Sequence, residues 1–213
     1  MSLADAERRM AAILAADVVG YGRLVERDEA RTLVRLRDLR REVFDPLVAA
    51  HHGRVFKLMG DGAVVEFASV VDAVTCAAAV QQSTARSQAA LPPDRRIVLR
   101  IGVNLGDVVV DGDDLLGDGV NVAARLEQLC PPGGVLISGA AYDHLKGRIA
   151  LPVDARGVRR LKNIAEPVRL YAVRLDGVAT LRRGSVGLPG RWVLAGAALV
   201  ALAAGGWWIG RTD

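Results

Sequence analysis

The feature that most constrains this chain is the run "RMAAILAADVV" at residues 9–19. From Met10 onward it is apolar without alternation, apart from one carboxylate, Asp17. A strand of this kind is covered on both faces, because odd and even side chains alike avoid water. Asp17 therefore sits where charge is expensive. Burying an unpaired carboxylate costs several kcal/mol, so it must find a partner.

The segments that follow set the rest of the order. Leu33, Leu36, Leu39, Val43 and Leu47 recur at helical spacing and predict a helix over 28–53, ending at Gly53. "FKLMGDGAVVEF" predicts strands at 54–59 and 63–67 around a Gly60-Asp61-Gly62 turn. Ser69 is the expected N-cap of an alanine-rich helix over 69–90. Strands are expected at 97–103 and 107–110, and a helix from 118 to 129 broken by Pro131-Pro132-Gly133. A strand (134–138), a short helix (139–146) and two strands (149–158, 168–174) follow. Strand, helix, hairpin, helix, strand predicts the α+β class: a ferredoxin-like βαββαβ sandwich with a C-terminal extension. Its helices would lie on one face of a mainly antiparallel sheet.

Composition bounds the remainder. Hydrophobic residues make up 51% of the 213, which suits one cored domain over 1–175 plus an appendage. Two cysteines, Cys76 and Cys130, suggest neither a disulfide framework nor a zinc site. "MSLADAERRM" has no apolar stretch, so no secretory signal is expected. Residues 176–191 read as a linker and 211–213 as a short tail. Between them, residues 192–210 carry no charge over 19 positions, with Trp192 at one end and Trp207 and Trp208 at the other. At ~1.5 Å per residue such a helix spans a bilayer core of about 30 Å, with tryptophans at its interfaces. Arg182, Arg183 and Arg191 precede the span and Arg211 follows it. The positive-inside rule then predicts a single-pass protein of the cell inner membrane with its domain in the cytoplasm. Those four arginines against Asp213 hold +3 of the net charge of +4, so residues 1–180 are nearly neutral. A basic nucleic-acid footprint is excluded on that ground.

Two constellations carry chemistry. A hairpin beside the first strand would bring Asp61 to Asp17. Two facing carboxylates repel unless a cation lies between them. Mg²⁺ takes one or two carboxylates and leaves its other positions to water and phosphate, so the pair reads as a two-metal phosphoryl-transfer site. The plainer alternatives are a turn-forming Asp61 and an Asp17 paired with a lysine or arginine. In "DDLLGDGVNVAARLEQL", Asn121 and Arg125 are four apart and share a helical face, while Val122, Leu126 and Leu129 line an apolar stripe. An amide and a guanidinium projecting together suit a sugar oxygen and a phosphate. They equally suit a solvated polar face.

From Met10 to Val173 the chain resembles the catalytic domain of class III nucleotidyl cyclases, in the form found among bacterial adenylate cyclases. The motifs are "ADVVGYGRL", "FKLMGDGAVVEF", "RIGVNLGDVVV", "LLGDGVNVAARLE" and "LKNIAEPVRLYAV". The resemblance implies that Asp17 and Asp61 hold two Mg²⁺ or Mn²⁺ ions per site, with Val18 adding a backbone carbonyl. It implies that Lys57 and Asp114 read the purine, that Asn121 and Arg125 orient the ribose and stabilise the transition state, and that Lys162 contacts the terminal phosphates. It also implies a homodimer whose sites combine both chains. Asn163 stands where many members have glycine after the lysine.

Base choice can be argued from donors and acceptors. Lys57 only donates and an ionised Asp114 only accepts, which complements N1 and the 6-amino group of adenine and opposes the guanine edge. The expected function is an adenylate cyclase converting ATP to 3′,5′-cyclic AMP and pyrophosphate. The alternatives are a guanylate cyclase, opposed by that pair, and a silent nucleotide-binding dimerisation module, opposed by the intact Asp17, Asp61, Asn121 and Arg125.

Overall fold

The computed structural model describes residues 7–111 and 114–175, without the side chains of residues 7, 111, 114 and 115. The predicted linker, membrane span and tail (176–191, 192–210 and 211–213) lie outside the described residues. Among those described, no helix is long and apolar enough to cross a membrane.

The chain begins with strand β1 (Glu7–Val18) and helix α1 (Tyr21–Leu39), which passes through a π-helical turn at Arg40–Phe44 into α2 (Asp45–Ala50). The hairpin β2 (Arg54–Met59) and β3 (Gly62–Phe67), helix α3 (Val70–Ser87) and β4 (Leu99–Asp111) complete the first half. Then come β5 (Asp114–Leu116), α4 (Asp118–Leu129), β6 (Val135–Ser138), α5 (Gly139–Leu145), β7 (Val153–Arg159) and β8 (Val168–Val173). The sheet runs β2-β3-β1-β4-β6-β8-β7, with β5 on β4. Its first four strands have the expected ferredoxin-like order, and the extension adds three more beyond β4. Only the β4–β6 pairing is parallel among the described strands.

β1 is buried on both faces, as its composition requires. Ala12, Leu14, Ala16 and Val18 enter a large core with Leu39, Phe44, Val48, residues of α3, and Ala141 and Leu145 of α5. Ala11, Ile13 and Ala15 face the other way, toward Val64, Val108 and Ala123 of α4. Helices therefore cover both faces, not one as expected. α4 supplies the second cover, and glycine lets it come close. A Cβ on Gly102 would lie 2.3 Å from the Ala123 carbonyl oxygen and 2.4 Å from the Glu127 nitrogen.

Three boundaries differ from the sequence reading. The first helix starts at Tyr21, not Asp28. Asp28 breaks it with an extended φ/ψ of −163°/86° and caps the second segment, its Oδ1 accepting from the Arg31 N–H at 3.1 Å. The leucine spacing belongs to that second segment alone, which is why the first turns went unread. The strands expected at 97–103 and 107–110 are one continuous β4. Gly106 does not turn the chain; it makes room for Gly119, whose Cα lies 3.1 Å from where a Cβ would stand. On α4, Leu129 is exposed, and the buried set is Gly119, Val122, Ala123, Leu126 and Glu127. The N-cap reading holds: the Ser69 hydroxyl accepts from the Asp72 N–H.

Candidate active site

The end of β1 and the tip of the β2–β3 hairpin converge. Ala16 lies opposite Ala63 in the β1–β3 register, so the Gly60-Asp61-Gly62 turn falls just beyond, level with Asp17. Gly60 adopts φ +62°, which glycine takes at little cost. Gly62 has a different task. A Cβ there would stand 3.3 Å from the Ala16 carbonyl and 3.4 Å from Asp17 Oδ1, a slightly tight fit against β1 that glycine avoids.

Asp17 and Asp61 interact directly. The Asp17 carboxyl is pushed above its usual range, first by burial, then by the negative charge of Asp61 and a hydrogen bond to it. The Arg100 guanidinium and the Val18 N–H pull in the opposite direction. Two half-buried carboxylates in contact make a strained anionic site. Their hard oxygens suit Mg²⁺ or Mn²⁺. Among the described residues no group of three or more His, Cys, Asp or Glu side chains gathers as a metal site. Such a pair leaves coordination positions to water and phosphate, with the adjacent Val18 carbonyl as a further hard donor.

Behind this pair stand two residues that the sequence reading missed. Arg100 is the direct cross-strand neighbour of Asp17, its Nη2 3.6 Å from Asp17 Oδ2. Its Nε lies 3.4 Å from Oε1 of Glu127 on α4. Glu127 is buried, and its carboxyl is pushed up to about 7, chiefly by burial, then by Asp17; Arg100 opposes the rise and Asp61 adds to it. The plain reading of Asp17, a salt bridge to an arginine, holds, and Arg100 is that partner. Glu127 carried a signal: it follows Ala123 by four and so continues a buried stripe. Arg100 carried none that alternation could expose, since it sits in the apolar "IVLRIGV".

The remaining candidates gather elsewhere. Arg125 donates from Nε to the Lys162 carbonyl at 3.3 Å and from Nη1 to Gln128 Oε1 at 2.8 Å. Asn121 is exposed one turn earlier on α4, and the Lys162 side chain is exposed on its loop. Asn163 adopts φ +62°, the left-handed region. Glycine takes that region freely and asparagine tolerates it. Lys57 lies exposed on β2 opposite Val64. The backbone of Asp114 pairs with Asp111 at the start of β5. A cavity of about 570 Å³ beside the start of α4, lined by Arg8, Asp107, Asp118, Ser138 and Arg169 among others, includes none of the candidate residues.

The model of the adenylate and guanylate cyclase catalytic domain matches residues 4–174. A Rhizobium meliloti (strain 1021) protein named "Putative adenylate cyclase 3" is 53% identical over 171 residues, covering 80% of this chain and 29% of its own length. An adenylate cyclase of Streptomyces coelicolor is 31% identical over 139 residues, 65% of this chain and 35% of its own. The chain thus spans about a third of these relatives. The crystal structure of an adenylate/guanylate cyclase/hydrolase from Silicibacter pomeroyi superposes with a TM-score of 0.75 at 40% identity, covering 79% of this chain and 98% of that one.

Proposed function

Because the chain belongs to the adenylate and guanylate cyclase catalytic-domain family, we propose that it converts ATP to 3′,5′-cyclic AMP and pyrophosphate at sites shared by two copies. The observation that carries this reading is the Asp17–Asp61 carboxylate contact at the end of β1. Asp17, Asp61 and the Val18 carbonyl would hold two Mg²⁺ or Mn²⁺ ions. When bound, such ions lower the pKa of the ribose 3′-hydroxyl and neutralise the triphosphate.

The chain's own groups do the rest. Asn121 orients the ribose so that its 3′-oxygen lines up on the α-phosphorus. Arg125 places a guanidinium where negative charge grows as that bond forms. The bond from the α-phosphorus to the bridging oxygen breaks, and Lys162 steadies the departing pyrophosphate. The 3′-hydroxyl proton leaves to water or to the substrate phosphate. Lys57 donates to adenine N1 and Asp114 accepts from the 6-amino group, which selects ATP over GTP. Residues 192–210 would anchor the chain as a single span in the inner membrane, with the domain on the cytoplasmic side.

The test is incubation of the purified protein with ATP or GTP and Mg²⁺ or Mn²⁺, with the product identified by mass. Cyclic AMP from ATP is expected. Cyclic GMP as the main product would shift the reading to a guanylate cyclase, and no cyclic product with either would leave a nucleotide-binding module.

A further inference from the structure

We propose that Glu127 is a positioning residue for metal entry: it holds the Arg100 guanidinium between two carboxylates, so that Arg100 does not close on Asp17 and block the cation site. The proposal rests on the reading of Asp17 and Asp61 as metal ligands.

The geometry is a fork. Arg100 reaches Asp17 with Nη2 at 3.6 Å and Glu127 with Nε at 3.4 Å. Neither distance is that of a full charge-assisted hydrogen bond, about 2.7–2.9 Å. Arg100 Nε and Glu127 Oε1 are buried and face each other at 3.4 Å as an ion pair without hydrogen-bond geometry. Unsatisfied buried polar atoms are costly, and their retention asks for a reason. Here the reason is that Arg100 is shared and committed to neither carboxylate.

The backbone that carries Glu127 is held in place. Its backbone is pressed onto β4 at Gly102, where a Cβ would lie 2.4 Å from its nitrogen. Gly102 is two residues from Arg100 on the same face of β4. The Glu127 side chain is 10% exposed, against 27% for Arg100 and 33% for Asp17, so its charge acts through little water. With Glu127 neutral, Arg100 would have Asp17 as its one close anion. An incoming dication would then have to break a full Arg–Asp pair, and at a pH above about 7, where Glu127 is ionised, the local negative charge drawing it in would be smaller by one. Both effects weaken metal binding.

The experiment measures Mn²⁺ binding by the EPR signal of the free ion, with the full chain and 3′-deoxy-ATP, which lacks the attacking oxygen. Glu127→Gln keeps the shape and removes the charge. Its Mn²⁺ dissociation constant should rise roughly tenfold, as for other residues that hold a metal ligand in place. Glu127→Asp keeps the charge and shortens its reach, and should fall between the two. At saturating metal, kcat with ATP should stay within about threefold of wild type, the pattern of a lost binding interaction. Asp17→Ala, which removes a ligand, should reduce the Mn²⁺ signal change to that of 3′-deoxy-ATP without protein, which ties the remaining change to this site. Equal Mn²⁺ constants in the wild-type, Asp and Gln proteins, with or without a lower Tm, overturn the proposal. So does a wild-type constant for the Asp variant if the Gln variant does not fold, and so does undiminished Mn²⁺ binding by Asp17→Ala. Cyclic-nucleotide formation is read in the same wild-type sample. Its absence overturns the functional reading, whereas only the Mn²⁺ constants decide this one.

Discussion

The two faces of β1 are put to different uses. Its even residues, Ala12, Leu14, Ala16 and Val18, enter the core built with α1, α2, α3 and α5, and no charged residue belongs to that cluster. Its odd residues run under α4 through Ala11, Ile13 and Ala15, and end at Asp17. Asp17, Arg100 and Glu127 form one line of charges there, at the edge of a much smaller apolar cluster. The difference teaches where this chain concentrates stability and where it tolerates strain. On the first face the buried polar residues are neutral, as with Gln81, whose Nε2 donates to the Leu99 and Gly134 carbonyls. The other gives up apolar contact to keep three ionisable groups close together in poor solvent.

The sharpest way to break this comparison is to remove a carboxylate. Asp17→Ala and Asp61→Ala should each lower cyclisation by at least about 10³-fold, since both act on the charge that must be stabilised. Neither should destabilise the fold, because each removes one partner of a repulsive contact. Product formation and urea midpoints, measured together, check this. A variant that is stable and keeps near-normal turnover at saturating metal would remove the assignment of these residues.

Leu14→Ala asks the converse on the opposite face. Leu14 is fully buried, and the cavity should cost about 3 kcal/mol of stability. Activity per folded molecule should be little changed. Chemical denaturation with active-site titration separates the two. If catalysis fell in step with the Asp17 variant at full folding, the division of labour between the faces would not hold.

A smaller effect concerns pH. The Glu127 carboxyl is raised from 4.5 to about 7, so the native state holds its proton more tightly than the unfolded chain does. Its contribution is therefore complete below about pH 4.5 and is lost as pH rises through about 7. Glu127→Gln should remove that slope and leave the protein more stable above pH 7, by up to about 3 kcal/mol. Denaturation at pH 5 and pH 8 measures it; identical pH slopes in the two proteins would contradict it. A variant that gains stability while losing metal affinity would show that the charge is kept for function.

The large core was legible in the sequence because it obeys local rules. The hairpin has its Gly-Asp-Gly, α3 has Ser69, and β1 has its unbroken apolar run. Asp17 was legible because it violates such a rule. What escaped depends on contacts between distant segments. Gly102 falls inside one predicted strand and Gly106 between two, yet both are landing places for α4, which no pattern within β4 can announce. That landing turns Ala123 and Glu127 inward and leaves Leu129 exposed, shifting the buried stripe from its expected line. Arg100 gains its meaning only from the β1–β4 register that sets it opposite Asp17.

The same helix separates two parts of the site, and this leads to the smallest expected effect. Glu127 turns toward Arg100 in its own chain. Arg125 lies two residues earlier, roughly 200° around the helix at 3.6 residues per turn, and makes its contacts with Lys162 and Gln128. One α4 thus directs Glu127 to its own acidic pair and Arg125 away from it. On the proposed function Arg125 and Asn121 would serve the acidic pair of a second copy, and a two-fold pair of chains would hold two such composite sites. Asp61→Ala and Arg125→Ala chains should each be nearly inactive alone. In a mixed dimer one site receives both lesions and the other neither. With random pairing half the dimers are mixed and half their sites are intact, so roughly a quarter of wild-type activity should return. Differentially tagged chains, co-purified and assayed for cyclic AMP, make the measurement. A silent mixture with mixed dimers demonstrated would place Arg125 and Asp61 in one site of one chain, and the two directions of α4 would then need another explanation.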